Sequence, residues 1–124
     1  MIVDDDPDDC FFHERTIRKV VPTTDVITTH TADEALAHLR GEGPIPDIIL
    51  LDINMPGKSG WDFLDEFDQL EEGRRTSAVV VMLTSSQAPA DVQGAATRPL
   101  VSNFATKPLT EPMFTELLEE HGLR

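Results

Sequence analysis

The sequence predicts an α/β domain, a doubly wound parallel sheet of five strands with helices on both faces. Three observations carry this. Short apolar runs alternate with amphipathic stretches along the chain, which is the βαβα pattern of a parallel sheet. Two of the runs, Ile48-Ile49-Leu50-Leu51 and Val79-Val80-Val81-Met82-Leu83, contain no polar alternation, as strands buried on both faces require. The length of 124 residues predicts a single domain, 1–124, in which neither two independent cores nor a tethered output module is expected.

The elements follow in order. The first strand, Met1–Val3, is shorter than the usual length of about 5–6 residues. Either the strand is short or the native chain starts before residue 1. A helix is expected from Pro7 to Val20, with Pro7 tolerated in its first turn. Asp6 is placed to cap it, and Asp8 and Asp9 read as solvated acids favoured at a helix start. The second strand is Val26–Thr29. Thr31-Ala32-Asp33-Glu34 reads as a capping box, followed by Ala32, Ala35, Leu36 and Leu39 at helical spacing and by Gly41 as a stop. The third strand is Ile48–Leu51. Phe63, Leu64, Phe67 and Leu70 form the next apolar stripe, with Trp61 packing at its start. The fourth strand is Ala78–Leu83. The helix expected over Ala90–Ala96 has the least to bury and contains Gly94. The fifth strand is Asn103–Thr106, and Met113, Phe114, Leu117 and Leu118 mark a closing helix.

The charge is lopsided, with 23 Asp and Glu against 10 Lys and Arg and a net −13. No cluster of cations could neutralise a phosphate backbone, so direct nucleic-acid binding is not expected. Anionic membranes are disfavoured for the same reason. Metal cations, basic partner surfaces and salty solvent stay open. No apolar run approaches the roughly 20 residues of a membrane span, and Met1-Ile2-Val3-Asp4-Asp5 lacks the features of a secretory signal. Cys10 is the one cysteine and cannot form an internal disulfide. A reducing cytoplasm is the simplest compartment. Cys10 itself reads as a small helix residue, since nothing nearby would lower its pKa. His13, His30, His38 and His121 fall on separate elements without ligand spacing and read as surface or boundary residues.

Chemistry gathers at the strand ends. Asp4, Asp5 and Asp6 follow the first strand, and Asp52 follows the third within Asp52-Ile53-Asn54-Met55-Pro56-Gly57. Thr84 with Ser85 and Ser86 follows the fourth, and Lys107-Pro108 follows the fifth. In an open parallel sheet these points share one edge, where ligands bind. Carboxylates crowded there raise one another's pKa or recruit a cation. Mg²⁺ suits a few carboxylates plus waters. A carboxylate beside such an ion, with a lysine and a hydroxyl nearby, can attack phosphorus by positioning and electrostatics. The product would be an aspartyl phosphate on Asp52.

These pieces resemble the receiver domain of two-component response regulators. The matching segments are Val3-Asp4-Asp5-Asp6, Asp47 through Gly57, Gly60-Trp61, Leu83-Thr84-Ser85 and Lys107-Pro108. The resemblance implies a flavodoxin-like sheet of order 2-1-3-4-5. It implies Asp52 as phosphoacceptor and Asp5 as direct ligand of Mg²⁺ (or Mn²⁺), with Asp4 acting through water. Asn54 would offer its backbone carbonyl to the metal, Thr84 its hydroxyl to a phosphoryl oxygen, and Lys107 its charge to the phosphate. A cis peptide is usual before the Pro108 position. Phe104 falls at the switch aromatic, and Thr84 moving inward would let it swing from an outer to an inner position.

The implied donor is a histidine kinase or phosphotransfer protein. The implied output is a downstream protein docking at the fourth helix, fifth strand and fifth helix, a surface through which many receivers also form homodimers. No turnover enzyme is implied, only self-phosphorylation and dephosphorylation. Two features depart from the family pattern. Phe104 replaces the commoner Tyr, and Gln93–Val101 lacks the usual small Gly-Ala turn. Three alternatives stand beside this. An Asp-nucleophile phosphohydrolase would need a second acid where Asn54 stands, and a cap. A flavin or nucleotide binder would need a Gly-rich loop after the first strand. A pseudo-receiver would dock without carrying phosphate. The acids outside the site, including Asp62, Asp65, Glu66, Glu119 and Glu120, are expected on helix faces and fit a salty cytoplasm.

Overall fold

The computed structural model describes residues 1–41, 45–70, 78–85 and 101–123. Along the chain run β1 (Ile2–Val3), α1 (Pro7–Val20), β2 (Thr28–Thr29), α2 (Ala32–Arg40) and β3 (Ile48–Asp52). They are followed by α3 (Gly60–Phe67), β4 (Val79–Thr84), β5 (Val101–Thr106) and a closing helix (Glu111–Glu120). The sheet is five-stranded with the order β2-β1-β3-β4-β5, and every pairing is parallel. This is the expected doubly wound architecture.

The single sheet divides the core of the domain into two clusters, one on each face. Val3, Ile49, Leu51, Val80 and Met82 pack with Ala35, Leu36 and Leu39 of α2 and Phe63, Leu64 and Phe67 of α3. Ile2, Leu50, Val81 and Leu83 pack on the other side with Cys10 and Ile17 of α1 and Phe114, Leu117 and Leu118 of the closing helix. The alternation along β3 and β4 therefore sends successive apolar residues to opposite cores. Each fully buried Leu, Ile or Phe contributes roughly 1.5–3 kcal/mol relative to exposure. Trp61 is half-buried against the first core, as expected of the residue opening α3.

Helix starts are set by side chains. Asp6 caps α1, accepting the Asp8 N–H at 2.9 Å and the Asp9 N–H at 3.4 Å. Thr31 accepts the Glu34 N–H at 3.0 Å, which is one half of the expected box. A full capping box forms instead at α3, where Ser59 and Asp62 satisfy each other's backbone N–H groups.

Some strand limits differ from expectation. β2 is shorter than Val26–Thr29 because it pairs only with the two-residue β1. β5 extends two residues earlier than Asn103, with a register irregularity opposite Val80 and Val81. Asp52 and Thr84 belong to their strands rather than following them. The expected helix over Ala90–Ala96, Ser86, and the Gln93–Val101 segment up to residue 100 lie outside the described residues. Among the described residues no helix is long and apolar enough to cross a membrane.

Candidate functional site

Strand register assembles the site. Val3 pairs with Leu51, so Asp4 emerges beside Asp52. Asp52 pairs with Leu83, and Thr84 with Thr106, so Lys107 emerges one step further along the same edge. The Lys107 N–H donates to the Thr84 carbonyl at 2.7 Å and ties β4 to β5 there. The peptide between Lys107 and Pro108 is cis.

Asp4, Asp5 and Asp52 each offer a carboxylate oxygen, all within 4.8 Å of one another. Asp4 and Asp52 are buried, and Asp5 is exposed. The Lys107 ammonium reaches into this group. Its Nζ lies 2.8 Å from Asp4 Oδ2, 2.8 Å from Asp9 Oδ2 and 3.5 Å from Asp52 Oδ1. The other Asp4 oxygen accepts the Asp6 N–H at 3.0 Å, so the Asp4 carboxylate is held from two directions.

Electrostatics follow from this crowding. Burial, assisted by the charges of Asp4 and Asp5, pushes the Asp52 carboxyl up to about 6, although Lys107 pulls the other way. For Lys107, burial acts to lower the ammonium, but hydrogen bonds to Asp4 and Asp9 and the charge of Asp52 outweigh it and hold it above its ordinary value. One ammonium thus faces several carboxylates, and the negative charge left on the Asp4, Asp5 and Asp52 group suits a hard divalent cation.

The loop after β3 is pinned to the sheet. Ile53 N–H donates to the Leu83 carbonyl at 3.4 Å, and Gly60 N–H donates to the Ile53 carbonyl at 2.8 Å. Asn54 stands exposed between buried Ile53 and Met55. A Cβ on Gly60 would come within 2.6 Å of the Asp52 carbonyl oxygen, so this close approach needs glycine. Gly57 has φ of +78°, the left-handed region that glycine adopts without strain. Thr84 is fully buried at the end of β4. Phe104 is half-buried against the core shared with α2 and α3.

Two residues of α1 depart from the sequence expectation. Asp9 is not a solvated helix-start acid, since it shares the Lys107 ammonium with Asp4. His13 is not a surface or boundary residue. It is 2% exposed, and its Nε2 accepts the Leu109 backbone N–H at 3.3 Å. Both sit on the side of α1 that carries buried Cys10, Thr16 and Ile17. The signal was present in their spacing, because His13 lies four residues before Ile17 and Asp9 four before His13. A search for apolar stripes passes over polar members of a buried face. Cys10 does behave as a small helix residue. Its thiol donates to the Asp4 carbonyl at 3.3 Å, and burial pushes it up to about 11. His30 is exposed, with Nδ1 3.2 Å from the same carbonyl oxygen.

The sequence profile described as the response regulator receiver domain matches residues 1–119. The chain belongs to the response regulator receiver domain family. Solved structures agree. A response regulator receiver protein from Dyadobacter fermentans superposes on this receiver domain with a TM-score of 0.86 at 36% identity, covering 96% of this chain and 93% of that one. A two-component response regulator from Cytophaga hutchinsonii gives 0.86 at 30% identity, with 96% and 92% covered. Chemotaxis protein CheY4 from Vibrio cholerae, at 22% identity and a TM-score of 0.79, shares the fold. No curated protein matches the chain. Of the residues singled out in the sequence, this receiver domain brings Asp4, Asp5, Asp52 and Lys107 into one cluster. Thr84 closes β4 on the same edge, and Asn54 lies in the loop leaving β3. Phe104 lies within β5, three residues before Lys107.

Proposed function

We propose that this receiver domain accepts a phosphoryl group on Asp52 from a histidine kinase or phosphotransfer protein, and that the modified site changes a partner-docking surface. The observation that carries the reading is the position of Asp52. It is a buried carboxylate 3.5 Å from the Lys107 ammonium, in a carboxylate triad suited to Mg²⁺ or Mn²⁺. The metal, when bound, would neutralise phosphoryl oxygens and lower the charge barrier to attack. Asp5, Asp52 and the Asn54 carbonyl would hold it, with Asp4 acting through water.

An Asp52 carboxylate oxygen attacks phosphorus. The bond from phosphorus to the donor breaks, and its electron pair leaves with the donor, an imidazole or an acetate. Lys107 pairs with one phosphoryl oxygen and the Thr84 hydroxyl with another. Loss of the phosphoryl group to water resets the site, so the domain catalyses its own transfer and dephosphorylation and turns over no substrate. Movement of Thr84 and Phe104 would carry the change to the surface of β5 and its flanking helices, where a downstream protein or a second copy docks. A cytoplasmic setting accords with the single cysteine, and the acidic composition speaks against nucleic acid or membrane as a direct partner.

The test is incubation with acetyl phosphate and Mg²⁺ followed by intact-protein mass measurement. One added phosphate is expected on the wild type, and none on Asp52→Asn or when EDTA is present. Labelling that survives Asp52→Asn would overturn the assignment.

A further inference from the structure

Lys107 in this fold has one partner more than the proposed reaction uses. An ammonium has three donors, and three carboxylates surround this one, Asp4 and Asp9 at 2.8 Å and Asp52 at 3.5 Å. A phosphoryl oxygen arriving on Asp52 must take a donor from one of them. Asp4 and Asp52 have side chains only 3% and 9% exposed, while that of Asp9 is 39% exposed. Water can therefore take over Asp9 at the least cost, and Asp9 is the partner that yields. We infer that Asp9 is a positioning residue that holds Lys107 in the resting domain and competes with the phosphoryl group for it, slowing phosphorylation.

The geometry that presents Asp9 is fixed. Asp9 N–H is capped by Asp6 at 3.4 Å. One helical turn on, His13 anchors the same side of α1 to Leu109, two residues past Lys107. The helix and the lysine turn are thus joined by the His13 side-chain bond to the Leu109 N–H, which stays, and an ion pair that must open. Asp9 touches neither the attacking oxygen nor the proposed metal ligands in any described contact, so its effect passes through Lys107.

The inference rests on the phosphoacceptor reading above. With acetyl phosphate, the bond from phosphorus to the acetate oxygen breaks as the bond from Asp52 forms, and acetate leaves with the electron pair. Asp9→Asn keeps the shape and removes the ion pair. Phosphorylation should then speed up by about twofold to fivefold, the worth of a partly exposed ion pair, and the phosphorylated form should last longer. Asp8→Asn is the control. Asp8 is exposed one residue away, carries the same charge and makes no bond to Lys107 in any described contact. It reports the mere loss of repulsion towards an anionic donor. Asp9→Glu, which can restore the pair, should return towards the wild-type rate, and thermal melts establish that each variant is folded.

Acceleration in Asp9→Asn beyond that in Asp8→Asn supports the inference. Equal acceleration in both, or a slower Asp9→Asn, overturns it while the wild-type label leaves the phosphoacceptor reading standing. A wild type that takes no phosphate overturns both.

Discussion

His13 Nε2 accepts the backbone N–H of Leu109 at 3.3 Å, joining residues 96 positions apart. An accepting Nε2 requires the proton on Nδ1. That nitrogen is buried without a hydrogen-bond partner among the described residues. Burial pushes the imidazole below its ordinary value, Lys107 adds to this, and Asp4 and Asp9 oppose it.

Acid should therefore destabilise the fold through His13. Its folded-state pKa lies below the unfolded value of 6.5, so the unfolded chain binds the proton first. The contribution is present above pH 6.5 and is lost as pH falls towards the folded value. An imidazolium has no lone pair left for Leu109. Urea unfolding at pH 8 and pH 5 checks this. His13→Gln, which can still accept the bond, should lose less stability between those two conditions than the wild type. His13→Leu strands a buried N–H and should cost about 1–3 kcal/mol at pH 8. Identical acid sensitivity in the wild type and His13→Gln would place the titration elsewhere.

Asp52 titrates with the opposite consequence. Its folded pKa, about 6, lies above the ordinary 3.8, so the fold favours the protonated carboxyl and is penalised as pH rises from about 4 through 6. Without metal, Asp52→Asn should stabilise the domain at pH 8 by up to about 3 kcal/mol and change little at pH 4. Mg²⁺ should offset the same penalty, raising the wild-type melting temperature at pH 8 much more than at pH 5, where a proton competes for Asp52. Scanning calorimetry at the two pH values, with and without Mg²⁺, distinguishes these outcomes. A metal effect that is equal at both pH values, or retained in full by Asp52→Asn, would separate binding from Asp52.

Gly60 and Gly57 should respond to alanine in different ways. A Cβ on Gly60 meets the Asp52 carbonyl oxygen at 2.6 Å, the Ile53 Cα at 3.0 Å and Met82 Cε at 3.2 Å. Backbone cannot yield cheaply, so Gly60→Ala should cost more than about 2 kcal/mol and shift Asp52, lowering both stability and labelling by acetyl phosphate. Gly57 has open space but a φ of +78°, so Gly57→Ala should cost about 1 kcal/mol and leave labelling near the wild-type level. Chemical denaturation paired with the mass assay checks both.

The contrast between β3 and α1 explains what was legible in the sequence. Ile48 through Leu51 announce a doubly buried strand because every residue is apolar, and Asp52 stands out as the acid that ends the run. The edge holding Asp4, Asp52, Thr84 and Lys107 followed from topology, since parallel strands all end on one side. Asp9 and His13 were hidden because their partners lie 98 and 96 residues away and their types are common on solvated helices. Only the packing of α1 against the Lys107 turn reveals them. The Ser59–Asp62 box escaped for a smaller reason, since Asp stands where the familiar pattern has Glu or Gln.

Salt should stabilise this domain. The net charge is −13, and Asp65, Glu119 and Glu120 are exposed on helix faces. Their mutual repulsion acts over a screening length of about 10 Å at 0.1 M salt, which falls to about 3 Å at 1 M. Ion pairs oppose this trend. Lys58 is shared between Asp33 at 2.6 Å and Glu66 at 2.7 Å, and Arg18 reaches Glu14 at 3.1 Å. Such exposed pairs are each worth little and weaken with salt. Acids outnumber bases 23 to 10, so a net negative charge remains whatever the pairing, and relief of repulsion should prevail. The melting temperature should rise by about 5 °C between 0.1 M and 2 M KCl. Lys58→Ala should lower it more at 0.1 M than at 2 M. A melting temperature that is flat or falls with salt would mean that the pairs outweigh the repulsion, and would count against the acidic surface as an adaptation to a salty cytoplasm.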